Sequence, residues 1–265
     1  MIDTTQLDPA RPIVILAVQR SGSTLLKTLL SSHPSIFIAA SSDLLWELVD
    51  EDLSIDALAG MARYEEEHEE TFRSFEHVHS FVQQTVMSFW MTSGEPEALG
   101  KRAVSHWGFV FYELDTSSLP KLYDVFPQGK FLHIVRDGRD VVASWLANYD
   151  DLAAGRPDVK RDPVRLARMW AQHLKVAAAY PAHLLRLEDL SDANKRAATI
   201  EAMLSYLEAP SAPELEAFCA ELPWVNAQKQ THQRWRQDLN EAQLEAMYRQ
   251  HAFKSMLIEH GYLVD

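Results

Sequence analysis

The chain has 265 residues, 47% of them apolar and 24% charged. That balance excludes global disorder and suits one large α/β unit spanning residues 1–265. Its 38 acidic residues against 25 basic ones give a net charge of −13, a field that disfavours nucleic acid or anionic lipid as partners but allows a small anion held by local cations. A single cysteine, Cys219, excludes an intrachain disulfide and a cysteine-built zinc site.

The first dozen residues carry Asp3 and Asp8 and no basic stretch, so no secretory leader is expected and the location is expected to be cytoplasmic. Pro12 to Val18 (PIVILAV) is a continuous, β-branched apolar run, as in a strand buried on both faces of a parallel sheet. It is far short of the roughly 20 residues of a membrane span. Ser23 to Ser32 reads as a helix with Leu25, Leu26, Leu29 and Leu30 along one face. It must end by His33, because Pro34 pushes the preceding residue out of the helical region. Ser35 to Ala39 reads as a short strand. Asp43 to Ser93 has a helical pattern that includes the charge run Tyr64 to Glu70, a solvated face. Leu99 to Val104 reads as an interior strand and Ser118 to Phe126 as a helix. Lys130 to Val135 (KFLHIV) is a clear strand that runs into Asp137, a good N-cap, and a helical stretch from Val141 to Asn148. A loop from Tyr149 to Asp162, a helix from Pro163 to Tyr180, a strand from His183 to Leu187 and further helices follow. Alternating strands and helices predict an α/β fold with a central parallel β-sheet flanked by many helices.

Two strand-to-helix turns carry the chemistry. In the first, Gln19-Arg20-Ser21-Gly22-Ser23-Thr24, Gly22 lets backbone approach a ligand closely and successive N–H groups open onto a helix N-terminus. Ser23 and Thr24 add hydroxyls, and Arg20 adds a planar charged fork. An ordinary βα turn capped by Ser or Thr has the same look. The Walker A lysine is missing. In the second, KFLHIVRDGRDVVASW, Arg136 leaves the strand beside another helix N-terminus, and Ser144 follows two turns later. The alternative is that Arg136 and Arg139 merely pair with Asp137 and Asp140 at a sheet edge, which is the expectation for Arg139. Two such loops, neither of Walker type, suggest a ligand with two separate phosphate groups.

Together, RSGSTLL and the HIVRDGRDVVASW segment resemble the PAPS-dependent sulfotransferase family, in its bacterial and tyrosylprotein-type branch, where His33-Pro34 also fits. The likeness extends through Trp170, Leu185-Arg186-Leu187-Glu188-Asp189-Leu190, Arg234-Trp235-Arg236 and Gly261-Tyr262. It implies a P-loop-like sulfotransferase fold and a single sulfotransferase domain. PAPS (3′-phosphoadenosine 5′-phosphosulfate) would be the co-substrate, PAP the product and a small-molecule or carrier-bound compound the acceptor, with no metal. By the same resemblance Arg20, Ser21, Gly22, Ser23 and Thr24 hold the 5′-phosphosulfate, and Arg136 and Ser144 hold the 3′-phosphate. Lys101 contacts the transferring sulfuryl group, its alternative being a solvated lysine at a strand end. Arg234 and Arg236 close over the nucleotide, whereas Arg186 is expected to pair with Glu188 or Asp189.

The catalytic base does not carry over. The glutamate of tyrosylprotein-type members corresponds to Ser41, and the histidine of cytosolic members to Ala103. Asp43 is therefore the first candidate for the base and His106 the second. Two other readings remain open: a P-loop kinase or nucleotide hydrolase, and a catalytically silent nucleotide-binding module. The acceptor pocket is expected between the helices of residues 43–93 and the loop 149–162, with Phe72, Phe75, Phe81, Phe89 and Trp90 as aromatic candidates.

Overall fold

The computed structural model describes residues 2–40, 75–112, 114–148, 161–221 and 233–263. In chain order it contains β1 (Ile13–Ala17), α1 (Ser23–Ser32), β2 (Ile36–Ala39), α2 (Phe75–Thr92), α3 (Glu95–Ala98), β3 (His106–Phe111), α4 (Ser118–Val125) and β4 (Lys130–Val135). There follow α5 (Gly138–Ala147), α6 (Pro163–Ala177), β5 (His183–Arg186), α7 (Leu187–Ser191), α8 (Arg196–Leu207) and α9 (Pro213–Glu221), and then α10 (Trp235–Asp238), α11 (Glu241–Tyr248) and α12 (His251–Glu259). The strands form one sheet in the order β2-β3-β1-β4-β5, and every pairing is parallel.

Because side chains alternate along a strand, the central strands feed two apolar layers. Ile13, Ile15 and Ala17 of β1 join Leu26, Leu29 and Leu30 of α1 and Met203 and Leu207 of α8 on one face. Val14 and Leu16 join Trp107, Phe109 and Phe111 of β3, Val141 and Trp145 of α5, and Trp170 of α6 on the other. The result is the expected helix–sheet–helix sandwich. Among the described residues no helix is long and apolar enough to cross a membrane.

One element differs from the sequence reading. Leu99 to Val104 is not a strand: α3 ends there, and the Lys101 N–H bonds back to the Pro96 carbonyl. The strand is His106–Phe111, registered so that Gly108 lies opposite Ile13 of β1. Its run of aromatic and branched residues (HWGFVF) has the β character that the shorter upstream stretch only partly shares. The helix after β4 also begins earlier than Val141, at Gly138, because Asp137 accepts the Arg139 N–H and caps it there. The charge run at residues 64–70 and most of the 149–162 loop lie outside the described residues.

β4 carries a histidine into the core. His133 is 4% exposed, and among the described residues its Nε2 has no hydrogen-bond partner. Burial, with His260 nearby, pushes its pKa down to about 3. The imidazole is therefore neutral in the folded chain, and stability is unaffected above the ordinary histidine range near 6.5. It is lost as pH falls from there toward 3, because the unfolded chain takes up the proton first. At pH 5 the loss from this one residue is about 2 kcal/mol. We expect His133→Leu to flatten the decline in Tm between pH 7 and pH 5 relative to the wild type, as read by calorimetry.

Candidate active site

In an open parallel sheet, ligands bind beyond the carboxyl ends of the strands, where neighbouring connections depart in opposite directions. In this sheet that place lies between β1 and β4. From β1 the chain crosses past β3 to reach β2, whereas from β4 it goes the other way to β5. The two loops singled out in the sequence are those that leave β1 and β4.

The first loop is tightly wound. Ser21 donates to the Val18 carbonyl through both its N–H (3.1 Å) and its hydroxyl (2.6 Å). Arg20 takes φ +71°, a strained left-handed conformation for a side-chain-bearing residue. Gly22 follows at φ +101°, and a Cβ there would meet Leu187 Cδ1 at 2.6 Å. Gly22 is the N-cap of α1, and no side chain caps that end. The N–H groups of the first turn thus point outward from the crevice floor, the geometry that receives an anion. Ser23, itself buried, shares a hydrogen bond with the Tyr112 hydroxyl at 2.9 Å, and Thr24 is exposed.

The second loop locks onto the first. Arg136 donates to the Arg20 carbonyl (3.0 Å), and Arg20 Nε donates to Ser144 Oγ in α5 (3.0 Å). Residues more than a hundred positions apart thereby form one corner. Arg136 also lies 3.9 Å from Asp140. Burial pulls the Arg136 guanidinium down, and the carboxylates of Asp140, Glu188 and Asp137 pull it back up. Burial pushes the Asp140 carboxyl above its usual range, against the pull of Arg136 and of the Trp235 N–H.

Behind this corner is a scaffold. Arg139 pairs with Asp137 at 2.6 Å, as expected, and donates to the Tyr262 carbonyl. Glu188 accepts from the Asp137 N–H (3.0 Å) and the Tyr262 hydroxyl (2.9 Å). Arg186 lies over the Tyr262 ring at 4.5 Å, with its expected partners Glu188 and Asp189 acting on it electrostatically, and Asp189 also pairs with Lys195. The C-terminal segment is held against the corner by Asp140, which accepts the N–H groups of Gln233 (2.9 Å) and Trp235 (3.0 Å). Within it Arg234 bonds Asp238 at 2.5 Å, and Arg236 bonds Gln233 and stacks on Trp235.

The fold thus brings together Arg20, Ser21, Gly22, Ser23, Thr24, Arg136 and Ser144, and it carries the Arg234–Arg236 segment beside them. It does not bring Lys101 or His106. α1 runs back from the carboxyl end of the sheet for 10 residues, about 15 Å at the helical rise. Lys101 is buried at its far end, donating to the Ser31 and His33 carbonyls. Those contacts make it a C-terminal cap of α1, and they correct the expectation that it reaches the reacting group. His106 opens β3 at the same amino end, opposite Ile36, with Ser105 Oγ at 2.9 Å from its Nδ1. Burial and then His33 and Arg11 push its pKa down. Asp43, Ser41 and Phe72 lie outside the described residues. Of the aromatic candidates, Trp90 is core, and Phe81 and Phe89 are exposed at 64% and 46%.

Sequence reasoning missed Tyr112, and it named Asp140 and Glu188 only as partners of neighbouring arginines. Tyr112 follows the aromatic strand directly and would have been found had that strand been read seven residues further on. Nothing in the local pattern announces Asp140 as the anchor of a segment more than ninety residues away.

The family model described as "Sulfotransferase family" matches residues 12–213. By structure the chain is similar to the sulfotransferase domain from the Synechococcus PCC 7002 olefin synthase. Identity there is 15%, with 99% of this chain and 100% of that one covered and a TM-score of 0.57. It is also similar to the sulfotransferase domain from the curacin biosynthetic pathway (16% identity, 96% and 99% covered, TM-score 0.55). A third likeness is to sulfotransferase STF9 from Mycobacterium avium (13%, 96% and 77%, TM-score 0.52). No curated protein matches it by sequence.

Proposed function

The chain belongs to the sulfotransferase family, and from that premise we propose that it moves the sulfuryl group of PAPS to a hydroxyl or amine acceptor by in-line transfer that needs no metal. The observation that carries this reading is the hydrogen-bonded run from Arg136 through the Arg20 carbonyl, and from Arg20 to Ser144, at the switch point of the sheet. A nucleotide with phosphates at both its 5′ and 3′ positions needs two anion sites close together. The α1 N-terminus with Arg20 supports the 5′-phosphosulfate, and Arg136 with Ser144 supports the 3′-phosphate.

The acceptor oxygen or nitrogen attacks sulfur, a new bond to sulfur forms, and the bond from sulfur to the bridging oxygen breaks with its electron pair moving to the 5′-phosphate. Arg20 and the loop N–H groups stabilise the charge that grows on that oxygen, and being already fixed in position they need little reorganisation. The acceptor proton passes to a base, for which we retain Asp43. The Gln233–Trp235 segment, hung on Asp140, covers the 3′-phosphate end and excludes water from it.

Calorimetric titration with PAP (adenosine 3′,5′-bisphosphate) and with ATP, each with and without magnesium, tests this. PAP is expected to bind at least about tenfold more tightly than ATP, a difference of ~1.4 kcal/mol, with no response to magnesium. Preference for magnesium-ATP would overturn the reading in favour of a kinase or nucleotide hydrolase. Tight PAP binding with no release of PAP from PAPS across a broad acceptor panel would leave a silent nucleotide-binding module.

A further inference from the structure

β5 pairs with β4 so that Arg186 lies opposite Val135, and the residues that leave the two strands meet. Glu188, in the first turn of α7, accepts the Asp137 N–H through Oε1 at 3.0 Å. That N–H belongs to the peptide unit joining Arg136 to Asp137, so the carboxylate fixes the plane from which the Arg136 residue departs. The Arg139 N–H is committed as well, to Asp137 Oδ1 at 2.9 Å. Two main-chain donors at the start of α5 are therefore taken within the protein. An anion at this end depends on the aim of the Arg136 guanidinium more than on the helix terminus.

We propose that Glu188 is a positioning residue for the 3′-phosphate: through the Arg136–Asp137 peptide it aims Arg136, and so sets how strongly the site distinguishes a nucleotide with a 3′-phosphate from one without. The proposal rests on the nucleotide reading above. Glu188 is itself held in place. Its Oε2 accepts the Tyr262 hydroxyl (2.9 Å), the Tyr262 carbonyl accepts from Arg139 Nη2 (2.7 Å), and Arg139 pairs with Asp137 (2.6 Å). Asp137, Glu188, Tyr262 and Arg139 thus close a ring beside Arg136. Burial works against the charge on Arg136, and Glu188 joins Asp140 and Asp137 in opposing that pull. The bonds of Glu188 go to Asp137 and Tyr262, whereas the turn of the first loop is closed by Ser21 on the Val18 carbonyl. A change at Glu188 therefore falls on the 3′ end of the ligand.

The test compares PAP with adenosine 5′-phosphate (AMP), which differ only in the 3′-phosphate, by calorimetry. Glu188→Gln keeps the size of the side chain and one carbonyl oxygen but removes the charge and one acceptor. The expected result is a fall of about tenfold or more in PAP affinity, the scale of one weakened hydrogen bond to a charged group, with AMP affinity unchanged within about threefold. Tyr262→Phe removes a bond that aims the carboxylate. It is expected to lower the ratio of PAP to AMP affinity by about threefold, and it gives the answer if Glu188→Gln does not fold. An unchanged ratio would overturn the proposal. Equal loss of both nucleotides would overturn it too, since that outcome makes Glu188 a support of the fold as a whole. If the wild type binds PAP no better than AMP, the nucleotide reading fails and the proposal with it; if the wild type prefers PAP and both variants keep that preference, only the role of Glu188 fails.

Discussion

Arg136→Met is expected to weaken PAP binding by a hundredfold or more and to lower the Tm. The guanidinium serves two clients. It donates to the Arg20 carbonyl and so holds the strained turn of the first loop, and it lies 3.9 Å from the carboxylate of Asp140. Charge-assisted hydrogen bonds to a phosphate are worth about 1.5–3 kcal/mol each, and two of them set the scale of the affinity loss. The stability loss has a separate origin. The Asp140 side chain is 1% exposed, and removing the cation beside a buried carboxylate leaves its desolvation uncompensated, typically a cost of about 3–5 kcal/mol. This second effect has a pH signature. Burial already raises the Asp140 carboxyl above its usual range, and without Arg136 it rises further. A carboxyl with a raised folded-state pKa favours the folded chain in its protonated form, so its penalty grows as pH rises and shrinks as pH falls. The Tm gap between wild type and Arg136→Met should therefore be wider at pH 8 than at pH 5. A gap independent of pH would remove Asp140 from the account.

Gly108→Ala is the second large effect, and it falls on folding. A Cβ at this position would lie 2.0 Å from the Ile13 carbonyl oxygen and 2.8 Å from its carbon. Both atoms belong to the backbone of β1, the central strand, and cannot swing aside as a side-chain tip can. Relief requires β1 and β3 to part along the register that positions the anion loop. We expect a loss of at least about 4 kcal/mol, in the diagnostic tail of single substitutions, and a fall in Tm on the order of 10 °C, or an insoluble chain. A Tm within about 2 °C of wild type would show that the strand pair can absorb the methyl group.

The sequence made some parts of this molecule legible for clear physical reasons. β1 was readable because a doubly buried strand leaves a continuous β-branched run. The end of α1 was readable because Pro34 forbids its continuation, and the cap of α5 because Asp137 can accept, although the helical pattern itself showed only from Val141. The motif residues Arg20 to Thr24, Arg136 and Ser144 were readable as two anion loops, and the fold brings them into one corner. What stayed hidden depends on distance in sequence. β3 is interrupted by a glycine needed for close strand approach, which blunted its signal and let the run before it pass for the strand. Lys101 followed that error: assigned to the end of a strand, it looked like a residue of the crevice, whereas it terminates a helix at the opposite rim. The roles of Tyr112, Asp140 and Glu188 are set by partners 51 to 95 positions away. No local periodicity encodes those meetings.

The Gln233–Trp235 segment is fastened to Asp140 by two main-chain N–H groups rather than by side chains. Any amino acid except proline can supply such a donor, so the fastening belongs to one carboxylate and imposes little on the composition of what it fastens. Residues on the outer surface of the segment can therefore change without loosening its attachment to the corner that Arg20, Arg136 and Ser144 form.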